Sequence, residues 1–227
     1  MIKISKFLLI ATLMFAACST EEDGPATGNG NEENSFDRGA MLVNWADNII
    51  IPAFGDFKST TQDLEDLSLK FTSNPNEENL IELRSAFESS YLSFQNVAIF
   101  DIGKAEEVNF RRFLNTYPLD AASVDNKIAS GDYNLELPSS FKEQGFPALD
   151  YLLNGLAATD SEIVAKYTSD NYKNYLLDVT QRINTLTTEV NASWQGDYRD
   201  TFVANTSSSS TGSVDKLTNK YIMYFET

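Results

Sequence analysis

Apolar residues spaced alternately three and four apart run through two long stretches of this chain. Leu80, Leu83, Phe87, Tyr91, Phe94 and Ala98 form one series; Leu176, Val179, Ile183, Leu186, Val190 and Trp194 form another. That interval matches the helical repeat and places each series on one face of an α-helix. Shorter series keep the same rhythm: Leu42, Trp45 and Ile49 before Pro52, then Leu64, Leu67 and Phe71, with further segments at 106–114 and 147–154. Pro52 is read as interrupting the first of these. No stretch alternates convincingly with period two, so no strand is expected. Turn-forming clusters at 73–76, 117–118, 130–132 and 137–139 separate the helices. The expectation is an all-α fold, an antiparallel helical bundle around one core of Leu, Ile, Phe and Tyr.

The N-terminus reads differently. Lys3 and Lys6 precede the run from Phe7 to Ala17, which is apolar apart from Thr12. As a helix that run rises about 16 Å, roughly half the hydrocarbon thickness of a bilayer. A cleavable signal peptide over residues 1–17 is therefore expected rather than a membrane span. Phe15-Ala16-Ala17-Cys18 resembles a bacterial lipobox, with Cys18 as the lipidated first residue of the mature chain. The alternative is an ordinary secretory signal with an incidental cysteine. Cys18 is the only cysteine, so no disulfide can form within a monomer and the fold rests on its core alone. Residues 18–38 are rich in Gly, Asn and Glu and read as an acidic flexible tether, which leaves 39–227 for the helical domain. Ser19-Thr20-Glu21-Glu22-Asp23 resembles the acidic tag that sends some bacterial lipoproteins to the cell surface. The expected location is thus the outer membrane, facing the periplasm or the exterior.

Removing residues 1–17 takes away Lys3 and Lys6 and no acid, so 15 basic residues face 33 acidic ones, a net charge of −18. Such a chain repels nucleic acid and anionic lipid, so no nucleic-acid partner is expected, and membrane attachment falls to the acyl chains. The same charge suits a cationic ligand. The chain also has no histidine. That excludes Ser-His-Asp and Cys-His nucleophile systems, two-histidine zinc proteases and imidazole-ligated haem. Carboxylate chemistry remains: a divalent cation, or iron, held through oxygen ligands. Residues 125–136 superficially resemble a calcium loop, but Lys127 and Ala129 stand where oxygen ligands are required. Glu107 with Arg111, and Arg84 with Glu88, are read as surface i,i+4 pairs, with cleft lining the other reading for the second. Tyr172, Tyr175, Trp194 and Tyr198 read as a core stripe. Glu65, Asp66 and Glu88 are further carboxylates, which sequence alone cannot bring together.

The most informative stretch is Gln144-Gly145-Phe146-Pro147-Ala148-Leu149-Asp150-Tyr151-Leu152-Leu153. It resembles the signature of imelysin-like proteins, the family of the M75 peptidases and related periplasmic iron-uptake components, where G-x-H-x-x-E opens a helix. Trp45 with Ile50 and Pro52 is similar to the family's first helix, and Leu83-Arg84-Ser85-Ala86-Phe87 to its second. Arg112-Phe113-Leu114 with Tyr117-Pro118 is similar to the segment leading to the motif. In the family, histidine and glutamate three apart project from one helix face onto a metal. Here Gly145 is kept, Pro147 stands at the histidine position and Asp150 at the glutamate position. Two readings of Asp150 remain open. It is a helix residue, favoured by the dipole three places after a first-turn proline, or it is a surviving metal ligand.

The resemblance implies two related helical bundles, of which this chain matches the first, so a truncated protein is expected. Asn205 to Ser213 reads as a mobile low-complexity loop and Val214 to Thr227 as a final amphipathic helix. The functional expectation is a non-catalytic envelope lipoprotein binding a cation or a protein partner in an iron-uptake setting. The alternatives are an M75-type metallopeptidase and a fragment without activity.

Overall fold

The computed structural model describes residues 36–226, so the expected signal peptide, Cys18 and most of the expected tether lie outside the described residues. Among those described there is helix and no strand, and no helix is long and apolar enough to cross a membrane. This is the helical bundle that the apolar spacing predicts.

The first helix, α1 (Arg38–Trp45), opens at Asp37, whose carboxylate accepts the Ala40 amide at 2.9 Å and satisfies one of the orphan donors of a helix start. It passes through a π turn at Ala46–Ile50 directly into α2 (Ile51–Ser73). Pro52 therefore does not interrupt the helix. The π turn widens the ladder, with the Ile51 amide reaching back to the Ala46 carbonyl, just before the ring that an ideal helix would not admit. The extra residue also shifts the register. Ile50 and Ala46 are buried, while Ile49, expected inside, is exposed.

A short turn returns the chain as α3 (Glu77–Gln95), capped by the Asn76 side chain at 2.9 Å from the Asn79 amide, with Glu77 and Glu78 in the first turn. Two short helices follow, α4 (Lys104–Glu107) and α5 (Phe110–Leu114), then α6 (Ala121–Ser130). The stretch 125–136 that superficially resembles a calcium loop thus begins inside α6 and is helical through Ser130. A 3₁₀ segment at Pro138–Glu143 leads into α7 (Gly145–Asp150), which continues as a second π turn, Tyr151–Gly155. Next come α8 (Asp160–Lys166), the long α9 (Asp170–Gln195), α10 (Asp197–Ala204) and α11 (Ser213–Glu226).

The most extensive packing is of α2 against α9 and α3. Every member of the 176–194 series is buried, as its periodicity requires. At the centre, Phe57, Phe94, Phe110 and Phe146 meet with ring centroids 5.3–6.3 Å apart, within the range for favourable aromatic pairing. Tyr175 and Trp194 are buried, with Tyr172 and Tyr198 packed at the margin, so that stripe belongs to the core. Residues 205–213, expected as a mobile loop, close on themselves. Asn205 Nδ2 donates to the Thr211 carbonyl at 2.8 Å, and the Ser213 hydroxyl to that of Phe202 at 2.7 Å.

Candidate binding groove

The segment 144–155 is built from its first glycine outward. Gly145 has φ +73, and a Cβ there would stand 2.2 Å from the Leu114 carbonyl oxygen. Only glycine allows α7 to start against the end of α5. Next to it, Phe146 inserts into the aromatic centre and is 1% exposed, a burial that stabilises by about 1.5–3 kcal/mol. Pro147 falls in the first turn, where its missing N–H leaves no ladder bond unmade. Gln144, also buried, donates through Nε2 to the Leu135 carbonyl at 2.6 Å and to the Ser140 hydroxyl at 2.7 Å. Buried Tyr175 adds a bond to the Glu143 carbonyl at 2.6 Å.

The far end of the segment is held by side chains from elsewhere. The Arg84 Nε and Nη2 donate to the Leu153 carbonyl at 3.1 and 2.8 Å, and Nη2 also to Asp160 at 2.8 Å. Tyr167, fully buried, donates its hydroxyl to the Leu152 carbonyl at 2.9 Å. These bonds occupy carbonyls that the π turn leaves without regular partners. Arg84 is therefore neither paired with Glu88 nor lining the groove. Its planar fork instead ties α3 to α8 and to the π turn. The hydrogen bond from Arg84, more than its charge, holds the Asp160 carboxyl below the ordinary value of 3.8.

Facing outward, the same segment forms one wall of a groove of about 740 Å³. Pro147, Asp150, Tyr151 and Asn154 line it from α7 and the π turn. Phe87 and Tyr91 face them from α3, and Asn115, Tyr117 and Leu119 from the connector between α5 and α6. Tyr91, expected in the core, is 37% exposed because it stands at this opening, its ring parallel to Phe87 and 5.2 Å from Phe146. The Tyr151 hydroxyl donates to Asp125 at 2.8 Å; burial first, then this bond, pushes its pKa up to about 12. Asp150 is the only charged residue of the lining, and its Oδ1 accepts from Asn154 Nδ2 at 3.0 Å. It lies at the sixth residue of α7, beyond the first turn where the dipole favours an anion. The dipole reading of Asp150 does not fit that placement.

The other carboxylates do not converge. Glu65 Oε2 accepts from Asn184 at 2.6 Å, and Asp66 Oδ1 from Gln62 at 3.1 Å, while Glu88 joins neither. Glu107 pairs with Lys104 at 2.8 Å and Arg111 lies over the Tyr224 ring, so the expected Glu107–Arg111 pair does not form. Between them Asn109 adopts φ +53 and breaks the helical register that the pairing assumes. Among the described residues, no group of three or more Asp, Glu, Cys or His side chains is placed to hold a metal ion. The groove's aromatic and amide lining was not singled out in the sequence. The one local signal was spacing: Phe87 with Tyr91, and Asp150 with Asn154, each lie four apart on a helix.

With the geometry in place, comparison with known proteins is decisive for the family. The imelysin (peptidase M75) family model matches residues 50–226. The chain belongs to the imelysin family. No curated protein sequence matches it. Among solved structures, an imelysin-like protein from Psychrobacter arcticum superposes with a TM-score of 0.66 at 18% identity, covering 83% of this chain and 59% of that one. A Parabacteroides distasonis protein described as an iron-regulated protein A precursor gives 0.63 at 17% identity, covering 82% and 54%. This imelysin chain thus spans little more than half the length of both, and the likeness at such identity concerns the fold.

Proposed function

We propose that this imelysin-family chain is a non-catalytic binding lipoprotein of the cell envelope, exported by residues 1–17 and anchored through Cys18. It takes a cation or a protein partner at the groove beside Pro147 and Asp150, in an iron-uptake setting. The observation that carries the reading is the lining of that groove. The family's histidine position holds Pro147, whose side chain has no lone pair, and Asp150 is the only charged residue beside it. A catalytic zinc site commonly takes three protein ligands and an open position for water, which this lining does not supply. The description of the Parabacteroides relative as iron-regulated supports the iron setting, and the acidic chain suits a cation.

Purified full chain incubated with zinc and dialysed is expected to retain no stoichiometric metal and to cleave no test protein above control. Proteolysis abolished by chelator and by Asp150→Ala, then restored to the native chain by metal, would replace this reading with the metallopeptidase. In cells, palmitate labelling is expected and should vanish in Cys18→Ala; labelling that survives removes the anchor from the proposal.

A further inference from the structure

The geometry points to a small organic ammonium compound as the ligand of the groove, its charged head beside Asp150 and its apolar part over the aromatic wall. This deepens the proposed function, on which it rests, by naming the kind of cation. Charge selects the sign of the ligand. No Lys or Arg lines the groove, Asp150 is its one acidic residue, and the chain carries a net charge of −16.

Hydrogen-bonding capacity narrows the choice further. Asn154 Nδ2 gives one of its two N–H groups to Asp150 Oδ1, and the Tyr151 hydroxyl donates to Asp125. Asp150 Oδ2 and the Asn154 carbonyl oxygen are left as acceptors towards a ligand, beside the second Asn154 N–H. An ammonium group offers donors or bare positive charge and needs no donor in return. Aromatic faces supply the remainder. Phe87 and Tyr91 lie with planes 3° apart and centroids 6.1 Å apart, and Tyr117 is 85% exposed at the mouth. Ring faces attract weakly hydrated organic cations, the arrangement by which aromatic sites recognise alkylated ammonium groups.

An inorganic ion fits less well. A hard cation such as calcium takes about six to eight oxygen ligands, and it gains little from an apolar wall. A volume of about 740 Å³ lies in the range of small-molecule sites.

The test is calorimetric titration of the purified full chain with choline, with its uncharged isostere dimethylbutanol, and with calcium and ferrous iron. Choline is expected to bind saturably with a dissociation constant of about 1 mM or tighter, and dimethylbutanol roughly 10-fold more weakly. Asp150→Asn should weaken choline about 10-fold and Tyr117→Ala about 3-fold, both with unchanged thermal midpoints. Equal binding of the isostere, or choline binding indifferent to Asp150→Asn, overturns the ammonium assignment. Metal binding lost in Asp150→Asn, with no choline binding, also overturns it but leaves the cation-binding function standing. Binding of none of the three cations removes the ammonium assignment and the groove's cation-binding role together.

Discussion

The inner and outer sides of residues 145–155 obey different rules, although they share one stretch of backbone. On the inner side, Gly145 touches the end of α5, Phe146 fills the aromatic centre, and Leu152 and Leu153 are buried with their carbonyls held by Tyr167 and Arg84. On the outer side, Pro147, Asp150 and Asn154 face a groove and bond only locally. The difference teaches that the family motif has two separable halves. Its glycine is required by packing whatever the groove binds, whereas Pro147 and Asp150 face the groove and make no bond on which the core depends.

Substitutions that sharpen this contrast should fall in a steep order. Gly145→Ala forces an unfavourable φ and drives a methyl into backbone, and is expected to cost on the order of 4 kcal/mol or to prevent folding. Chemical denaturation checks it, and a variant of native stability would mean that α7 can move off α5. Phe146→Ala leaves a cavity among Phe57, Phe94 and Tyr91 and should cost about 3–4 kcal/mol. Its unfolding midpoint is the readout, and a loss no larger than that of a surface residue would refute the packing account.

Arg84→Met comes next, at about 1–3 kcal/mol, because it orphans the Leu153 carbonyl. Its effect depends on pH with a definite sign. The Asp160 carboxyl titrates below its ordinary 3.8 in the folded protein. The stability this confers is therefore complete above that value and is lost as pH falls through the lower, folded one. Melting curves of the native chain and of Arg84→Met should draw closer as pH drops below about 3.8. A gap that stays constant would mean that Asp160 contributes nothing. The smallest effect belongs to the outer side: Asp150→Ala should change stability by no more than about 0.5 kcal/mol, measured by thermal melting. A loss several times larger would show that Asp150 serves the fold after all.

The last helix sets a second contrast, with α9. Both are amphipathic in sequence, yet α9 buries its whole apolar series while α11 leaves Tyr221, Ile222 and Phe225 exposed. Docking of α11 relies instead on Val214, Leu217 and Tyr224 packed against the core and on ion pairs of Lys216 and Lys220 with Glu106. Periodicity reports that a helix has an apolar face; it does not report what covers that face.

By itself the sequence determined the helices, their apolar faces and the family. Those depend on spacing along the chain and on a few residue types, such as Gly145 after Gln144, that local geometry makes legible. It mislaid Ile49 and Tyr91, since a π turn shifts register without altering composition, and a helix residue at a groove looks like one in a core. Only the tertiary structure decided that Arg84 reaches 69 positions along the chain to Leu153 and that Glu107 and Arg111 part company. It also decided that Tyr91, Tyr117, Asp150 and Asn154 share one opening. Helix formation is set by neighbours within a turn or two, whereas a site is set by which distant segments the core draws together.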